Sequence, residues 1–168
     1  MVCGGASEAG EGMNALLDAI VFDIGGTLVT EAPPATPTSD LEVVLLPGVL
    51  DDLRHLAGRV RIGAATNTAV MTEADVRELL EPSGINQLID VLVTSCDVRA
   101  AKPDPAVLLA ALERLGGLDP SRVLFVGDQA SDAAAAHAAG MPYAAVSPEG
   151  VRSTVETWVA DGAGQRFT

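Results

Sequence analysis

The chain has 168 residues, 48% of them hydrophobic, which is enough for one folded domain and excludes a wholly disordered protein. Ten basic and 23 acidic residues give a net charge of −13, which argues against nucleic-acid and anionic-membrane partners, because both attract Lys and Arg. The two cysteines predict no disulfide framework and the N-terminus resembles no signal peptide, so we expect a cytoplasmic protein.

Short apolar runs alternate with helical patterns along the chain. Five runs are typical of strands buried on both faces of a parallel sheet, namely 19–22, 60–65, 91–94, 123–126 and 143–146. Helices are predicted between them over 47–58, 72–81, 105–116 and 131–140, with a last helix from Ser153. Thr72 and Asp75 have the spacing of a capping box. This alternation predicts an α/β fold, a Rossmann-like parallel five-stranded sheet with helices on both faces.

The ends of the chain and one internal segment lack this pattern. We expect residues 1–14 and 161–168 to be flexible tails around a domain spanning 15–160. Segment 31–44 contains three prolines, which favour a structured loop or a small hairpin over a helix.

Polar residues follow four of the five predicted strands. In chain order they are Asp23, Gly25, Gly26 and Thr27; Thr66 and Asn67; Lys102; and Asp128 and Asp132. Because ligands of open α/β sheets bind at the carboxyl ends of the strands, these residues mark the expected site. Lys102 is the only lysine of the chain, and a solvated surface position is its ordinary alternative.

The charges of this set predict a chemistry. If Asp23, Asp128 and Asp132 converge, Lys102 compensates one charge, and a hard divalent ion such as Mg²⁺ suits the remaining oxygen ligands. A phosphoryl group would then bind between the metal, Lys102 and the Thr66 hydroxyl. Asp23 would be free to attack phosphorus and form an aspartyl-phosphate.

Four ordered motifs within residues 18–147 resemble the phosphatase branch of the haloacid dehalogenase superfamily. They are an apolar strand with "DIGGT" in place of D-x-D-G-T, Thr66 at the end of strand two, the Lys of "KPDP", and G-D-x-x-x-D from Gly127 to Asp132. The resemblance implies that Asp23 is the nucleophile, assisted by Lys102. It implies metal ligation by Asp23, the Gly25 carbonyl and Asp128, phosphoryl binding by Thr66, the Asn67 backbone and Lys102, and supporting positions for Asp132 and Thr27.

Gly25 departs from the family pattern, in which an aspartate at this position is the general acid and base. Such assistance is worth about 10²–10⁴ in rate. The resemblance therefore implies a Mg²⁺-dependent phosphatase that acts slowly through phospho-Asp23 on a small phosphorylated substrate. The alternative is a catalytically impaired regulatory or phosphate-binding domain. Carbon–halogen and carbon–phosphorus cleavage fit less well, since the former does not use this acidic fourth motif and the latter needs a lysine from a cap.

Neither interval that holds a cap domain in the family is long enough for one here. Residues 30–46 are too few, and residues 67–101 are occupied by a predicted helix and strand. We therefore expect an open, capless site, closed by the Pro-rich segment or by a partner. The sequence predicts neither an oligomeric state nor a particular substrate.

Overall fold

The computed structural model describes residues 8–33 and 35–165. Its five strands are β1 (Ala19–Phe22), β2 (Arg61–Thr66), β3 (Val91–Thr94), β4 (Val123–Gly127) and β5 (Tyr143–Ala145). Its α-helices are α1 (Glu8–Leu16), α2 (Val49–Ala57), α3 (Glu73–Leu80), α4 (Ser95–Val98), α5 (Ala106–Arg114), α6 (Ala130–Ala139) and α7 (Val151–Gln165).

The strands form one parallel sheet in the order β3-β2-β1-β4-β5. All five predicted strands are confirmed, each within one residue of its expected bounds. β1 lies at the centre, where Phe22 is in register with Ala64 of β2 and with Val126 of β4. The order of the strands changes direction at β1, so the residue after Phe22 lies at the switch point where α/β sheets bind ligands.

Side chains of successive strand residues pack into two cores, one on each face of the sheet. From β1, Ile20 and Phe22 enter the core beneath α1, α2, α3 and α7, whereas Ala19 and Val21 enter the core beneath α5 and α6. This alternation explains why the strands are continuously apolar, because both faces are covered by helices. The predicted α/β class is confirmed.

The helix boundaries follow the predicted capping signals closely. The Thr72 hydroxyl accepts from the Asp75 amide, and the Asp75 carboxylate accepts from the Thr72 amide, so the predicted capping box is present. α2 begins after Gly48, whose φ of 78° is accessible to glycine at little cost. The short helix α4, which is capped by Thr94, was not predicted.

Both ends of the described chain are helical where tails were predicted. α1 starts at Glu8, and Met13 is only 1% exposed, so the predicted tail is wrong for residues 8–14. α7 starts at Val151, two residues before the predicted Ser153, and continues to Gln165. The two helices pack against each other, and each therefore depends on a partner far away in sequence. Residues 1–7 and 166–168 lie outside the described residues.

The Pro-rich segment leaves the sheet and returns to it as a small hairpin. Val29 and Leu45 form an antiparallel bridge. The Thr30 amide donates to the Val44 carbonyl at 2.8 Å, and the Leu46 amide donates to the Leu28 carbonyl at 2.9 Å. A 3-10 turn, Thr38–Asp40, lies at the far end of the segment. Of the two predicted alternatives, the small hairpin is therefore correct at the base of the segment. This pairing places residue 31 beside the end of β1.

Two further features bear on the surroundings of the site. Between β2 and Lys102 the described chain forms α3, β3, α4 and 3-10 turns. Across residues 8–33 and 35–165, no helix has both the length and the apolar character needed to cross a bilayer.

Candidate active site

The polar residues after the strands meet in one cavity at the carboxyl edge of the sheet. The cavity has a volume of about 170 Å³ and is lined by Asp23, Gly25, Glu31, Thr66, Asn67, Lys102, Gln129, Ser131 and Asp132. Asp128 lies at its margin, with a carboxylate oxygen within 4.8 Å of those of Asp23 and Asp132. The predicted site residues are thus brought together, except for Thr27.

Lys102 is buried in the floor of this cavity rather than solvated at the surface. Its Nζ lies 2.7 Å from Oδ1 of Asp23 and 2.7 Å from Oδ1 of Asp132, and donates to the Ala65 carbonyl at 3.1 Å. Three acceptors match the three protons of an ammonium group. The Phe125 ring lies 5.3 Å below Nζ. The side chain is 97% buried, so the ordinary surface interpretation is wrong.

Asn67 fixes the backbone from which Lys102 extends. Its Nδ2 donates to the Lys102 carbonyl at 3.1 Å, and its Oδ1 accepts from the Lys102 amide at 2.9 Å. The peptide bond between Lys102 and Pro103 is cis. The sequence predicted a role for the Asn67 backbone alone, and the structure adds a positioning role for its side chain.

Asp132 connects Lys102 to the start of α6. Its carboxylate is almost fully buried, and its Oδ2 accepts from the backbone amides of Asp128 and Gln129, both at 3.1 Å. A Cβ at Gly127 would lie 2.5 Å from this oxygen, so the close approach requires glycine. Asp132 therefore fixes the backbone of Asp128, and its supporting role in the site stays a prediction.

Burial and the charge of Lys102 act in opposite directions on the pKa of Asp23. Burial raises the pKa of the Asp23 carboxyl to about 7; Lys102 opposes this rise and Asp132 adds to it. Burial, followed by the charge of Asp132, also raises the pKa of Tyr143 to about 12. Three carboxylates beside a single ammonium leave an excess of negative charge, which a bound cation would relieve.

The donor set fits a hard divalent ion. Asp23, Asp128 and Asp132 each present a carboxylate oxygen within 4.8 Å of the others. Lys102 already holds one oxygen of Asp23 and one of Asp132, whereas Asp128 is exposed and makes no ion pair with the described residues. The Gly25 carbonyl accepts no hydrogen bond from the described residues. Oxygen ligands of this kind suit Mg²⁺ or Ca²⁺ rather than softer metals.

The two glycines after β1 have different constraints. Gly26 has a φ of +76°, and a Cβ there would clash with Oδ2 of Asp128. Gly25 does not have a positive φ, and a Cβ there would meet only Cγ of Glu31, at an ordinary 3.8 Å. The backbone therefore requires glycine at position 26 but accepts a side chain at position 25.

We expect Gly26→Ala to lower the affinity of the site for Mg²⁺ by about 10–100-fold, because the new methyl group displaces the Asp128 carboxylate. The shift in melting temperature on adding Mg²⁺ measures the effect, and Gly25→Ala is the matched control. An unchanged Mg²⁺ shift in a folded Gly26→Ala protein would exclude Asp128 from the metal site.

Thr27 lies behind the cavity rather than in it. It is 1% exposed, and its hydroxyl has no hydrogen-bond partner among the described residues. It lines a separate cavity, of about 320 Å³, together with Gly26 and the start of α7. Its supporting role in the site stays a prediction.

Three residues of the cavity were not predicted. Gln129 and Ser131 lie at the start of α6, inside the G-D-x-x-x-D motif, where their spacing could have indicated them. Glu31 lies in the Pro-rich segment, which carries no sequence signal for a site. The pairing of Thr30 with Val44 and the hydrogen bond from Gln129 hold it at the cavity.

The chain is similar to known hydrolases in sequence. The sequence profile of the haloacid dehalogenase-like hydrolases matches residues 35–146, a segment that begins after Asp23. A phosphoglycolate phosphatase of Cereibacter sphaeroides is 39% identical over 115 residues, which are 68% of this chain and 48% of that protein. The pyrimidine 5'-nucleotidase YjjG of Escherichia coli is 41% identical over 85 residues, 51% of this chain and 36% of that protein.

The chain spans about half the length of the first of these relatives and just over a third of the second. Among solved structures, a HAD phosphatase from Thermococcus onnurineus superposes with a TM-score of 0.64 at 22% identity, covering 81% of this chain and 89% of the other. That likeness supports the fold. The sequence resemblance is thereby confirmed, and the chain belongs to the haloacid dehalogenase-like hydrolase family.

Proposed function

We propose that the protein is a Mg²⁺-dependent phosphatase that transfers a phosphoryl group to Asp23 and then to water. The observation that carries the proposal is the pairing of Asp23 with buried Lys102, 2.7 Å away, beside the Asp128 and Asp132 carboxylates. This arrangement combines a nucleophile, a fixed cation and a hard-metal ligand set in one small cavity.

Different residues of the chain would perform the separate parts of such a transfer. One oxygen of Asp23 is held by Lys102, which leaves the other oxygen to attack phosphorus. The ammonium of Lys102 lowers the energy of the negative charge on the transferring group. The Thr66 hydroxyl, which bonds to none of the described residues, can donate to a phosphoryl oxygen. A bound Mg²⁺, held by Asp23, Asp128 and the Gly25 carbonyl, would supply charge neutralisation and orientation.

The size of the cavity supports a phosphoryl-binding role and leaves the remainder of the substrate outside. About 170 Å³ accommodates a phosphoryl group and little more. The relatives named above are a phosphoglycolate phosphatase and a pyrimidine 5'-nucleotidase, so we infer a small phosphate monoester as substrate. We further propose a cytoplasmic protein whose open site is covered by the Pro-rich segment or by a partner.

A regulatory domain that binds phosphate without turnover is the second candidate. Gly25 favours it, since no carboxylate extends from that position. The intact contacts of Asp23, Lys102 and Asp132 favour the enzyme.

A panel of aryl, acyl and alkyl phosphates separates the two candidates. With saturating Mg²⁺, we expect phosphate release from aryl and acyl phosphates, whose leaving groups need little protonation. Loss of that release on chelation of the metal is part of the expected result. No turnover of any member of the panel, combined with measurable phosphate binding, would favour the regulatory domain.

A further inference from the structure

Glu31 lies at the mouth of the candidate active site on the Pro-rich segment. The preceding residue, Thr30, is fixed by its backbone bond to Val44, so the position of Glu31 is set by the base of the hairpin. Its Oε1 accepts a hydrogen bond from Nε2 of Gln129 at 3.3 Å, which links the segment to the start of α6. The carboxylate lines the same cavity as Asp23 and Lys102.

The side chain of Glu31 lies near Gly25. A Cβ built on Gly25 would lie 3.8 Å from Cγ of Glu31. The methylene stem of Glu31 therefore lies near residue 25, and its carboxylate extends beyond 4 Å from that point to meet Gln129.

Glu31 differs in its partners from the other carboxylates of the cavity. Asp23, Asp132 and Glu31 are the carboxylate residues of the lining, and Lys102 holds the first two in ion pairs. Among the described residues Glu31 pairs with no cation, and it lies outside the Asp23–Asp128–Asp132 cluster. It is exposed and receives only a neutral amide, so it is the lining carboxylate that no ion pair engages among the described residues.

We propose that Glu31 is the general acid and base of this site, an inference that rests on the proposed phosphatase function. As Asp23 attacks phosphorus, the ester P–O bond breaks and the protonated Glu31 carboxyl gives its proton to the leaving oxygen. The Glu31 carboxylate then takes a proton from water as the water oxygen attacks the phosphorus of the aspartyl-phosphate. The P–O bond to Asp23 breaks, which releases phosphate and restores both side chains.

Glu31→Gln tests the inference, with Glu42→Gln as the matched control on the same segment, where Glu42 is exposed and bonds to none of the described residues. Because an alkoxide needs a proton to leave and an aryl oxide does not, Glu31→Gln should lower turnover of alkyl phosphates by about 10²–10⁴. Turnover of aryl phosphates should fall by less than about tenfold. Glu42→Gln should match the unaltered protein on both classes.

A double variant distinguishes a loss of proton transfer from a loss of local structure. Adding Gly25→Asp to Glu31→Gln supplies a carboxylate in the same space, and should restore alkyl phosphate turnover by about tenfold or more. Alkyl turnover in Glu31→Gln equal to that in Glu42→Gln would overturn the inference, as would an equal loss on both substrate classes with no restoration. Aryl turnover by the unaltered protein without any alkyl turnover would also overturn it. The proposed function fails separately, if aryl turnover persists in Asp23→Asn.

Discussion

Replacing Lys102 by methionine is expected to lower the free energy of unfolding of the metal-free protein by about 3–5 kcal/mol. The ammonium is the shared partner of two buried carboxylates, each 2.7 Å away. Without it, Asp23 and Asp132 retain their cost of desolvation and repel each other, and no described cation is placed to compensate them. Urea unfolding in the presence of a chelator measures the change.

Two further variants show whether the destabilisation by Lys102→Met comes from the loss of its ion pairs. Arg54→Met removes an exposed cation whose side chain is 61% exposed, and should change the free energy of unfolding by less than about 0.5 kcal/mol. Asp132→Asn combined with Lys102→Met should cost less than the sum of the two single changes, since one of the two carboxylates left without a cation is also removed. A loss below about 1 kcal/mol for Lys102→Met would show that these contacts contribute little to stability.

Asp23→Asn is expected to abolish phosphate release, with a loss of at least about 10³ in turnover, because an amide oxygen does not form a stable bond to phosphorus. The variant should remain folded, because Lys102 keeps its contacts with Asp132 and with the Ala65 carbonyl. Removal of a carboxyl whose pKa burial raises to about 7 should not destabilise the protein strongly.

Steady-state turnover of an aryl phosphate with saturating Mg²⁺ measures this loss, and circular dichroism checks the fold. Asp104→Asn is a suitable control, since Asp104 is an exposed turn residue in "KPDP" outside the cavity. Retention of turnover within about tenfold in a folded Asp23→Asn protein would assign the nucleophile to another group.

The sheet and most of the site followed from the sequence because the signals were local. Continuously apolar runs predicted strands covered on both faces. The polar residues after four of these runs predicted the edge of the sheet at which Asp23 meets Lys102 and Asp128. The Thr72 capping box was likewise readable from its spacing. The presence of polar residues after four strands indicated the site more strongly than any single motif did.

What the sequence did not predict depends on contacts between distant residues. Met13 is buried because α1 packs against α7, far along the chain. The side chain of Asn67 holds the Lys102 backbone across 35 positions. Glu31 lines the cavity on a segment whose base is fixed by the pairing of Thr30 with Val44. None of these partners is encoded in the local pattern of hydrophobic residues, so tertiary packing decides them.

Chemical trapping of the covalent intermediate shows directly whether the phosphoryl group is transferred to Asp23. Protein incubated with Mg²⁺ and an aryl phosphate is treated with borohydride, which reduces an aspartyl-phosphate to homoserine, and the modified residue is located by peptide mass spectrometry. We expect homoserine at position 23 in the unaltered protein and none in Asp23→Asn. Modification at another carboxylate, or steady phosphate release with no trapped residue, would contradict it.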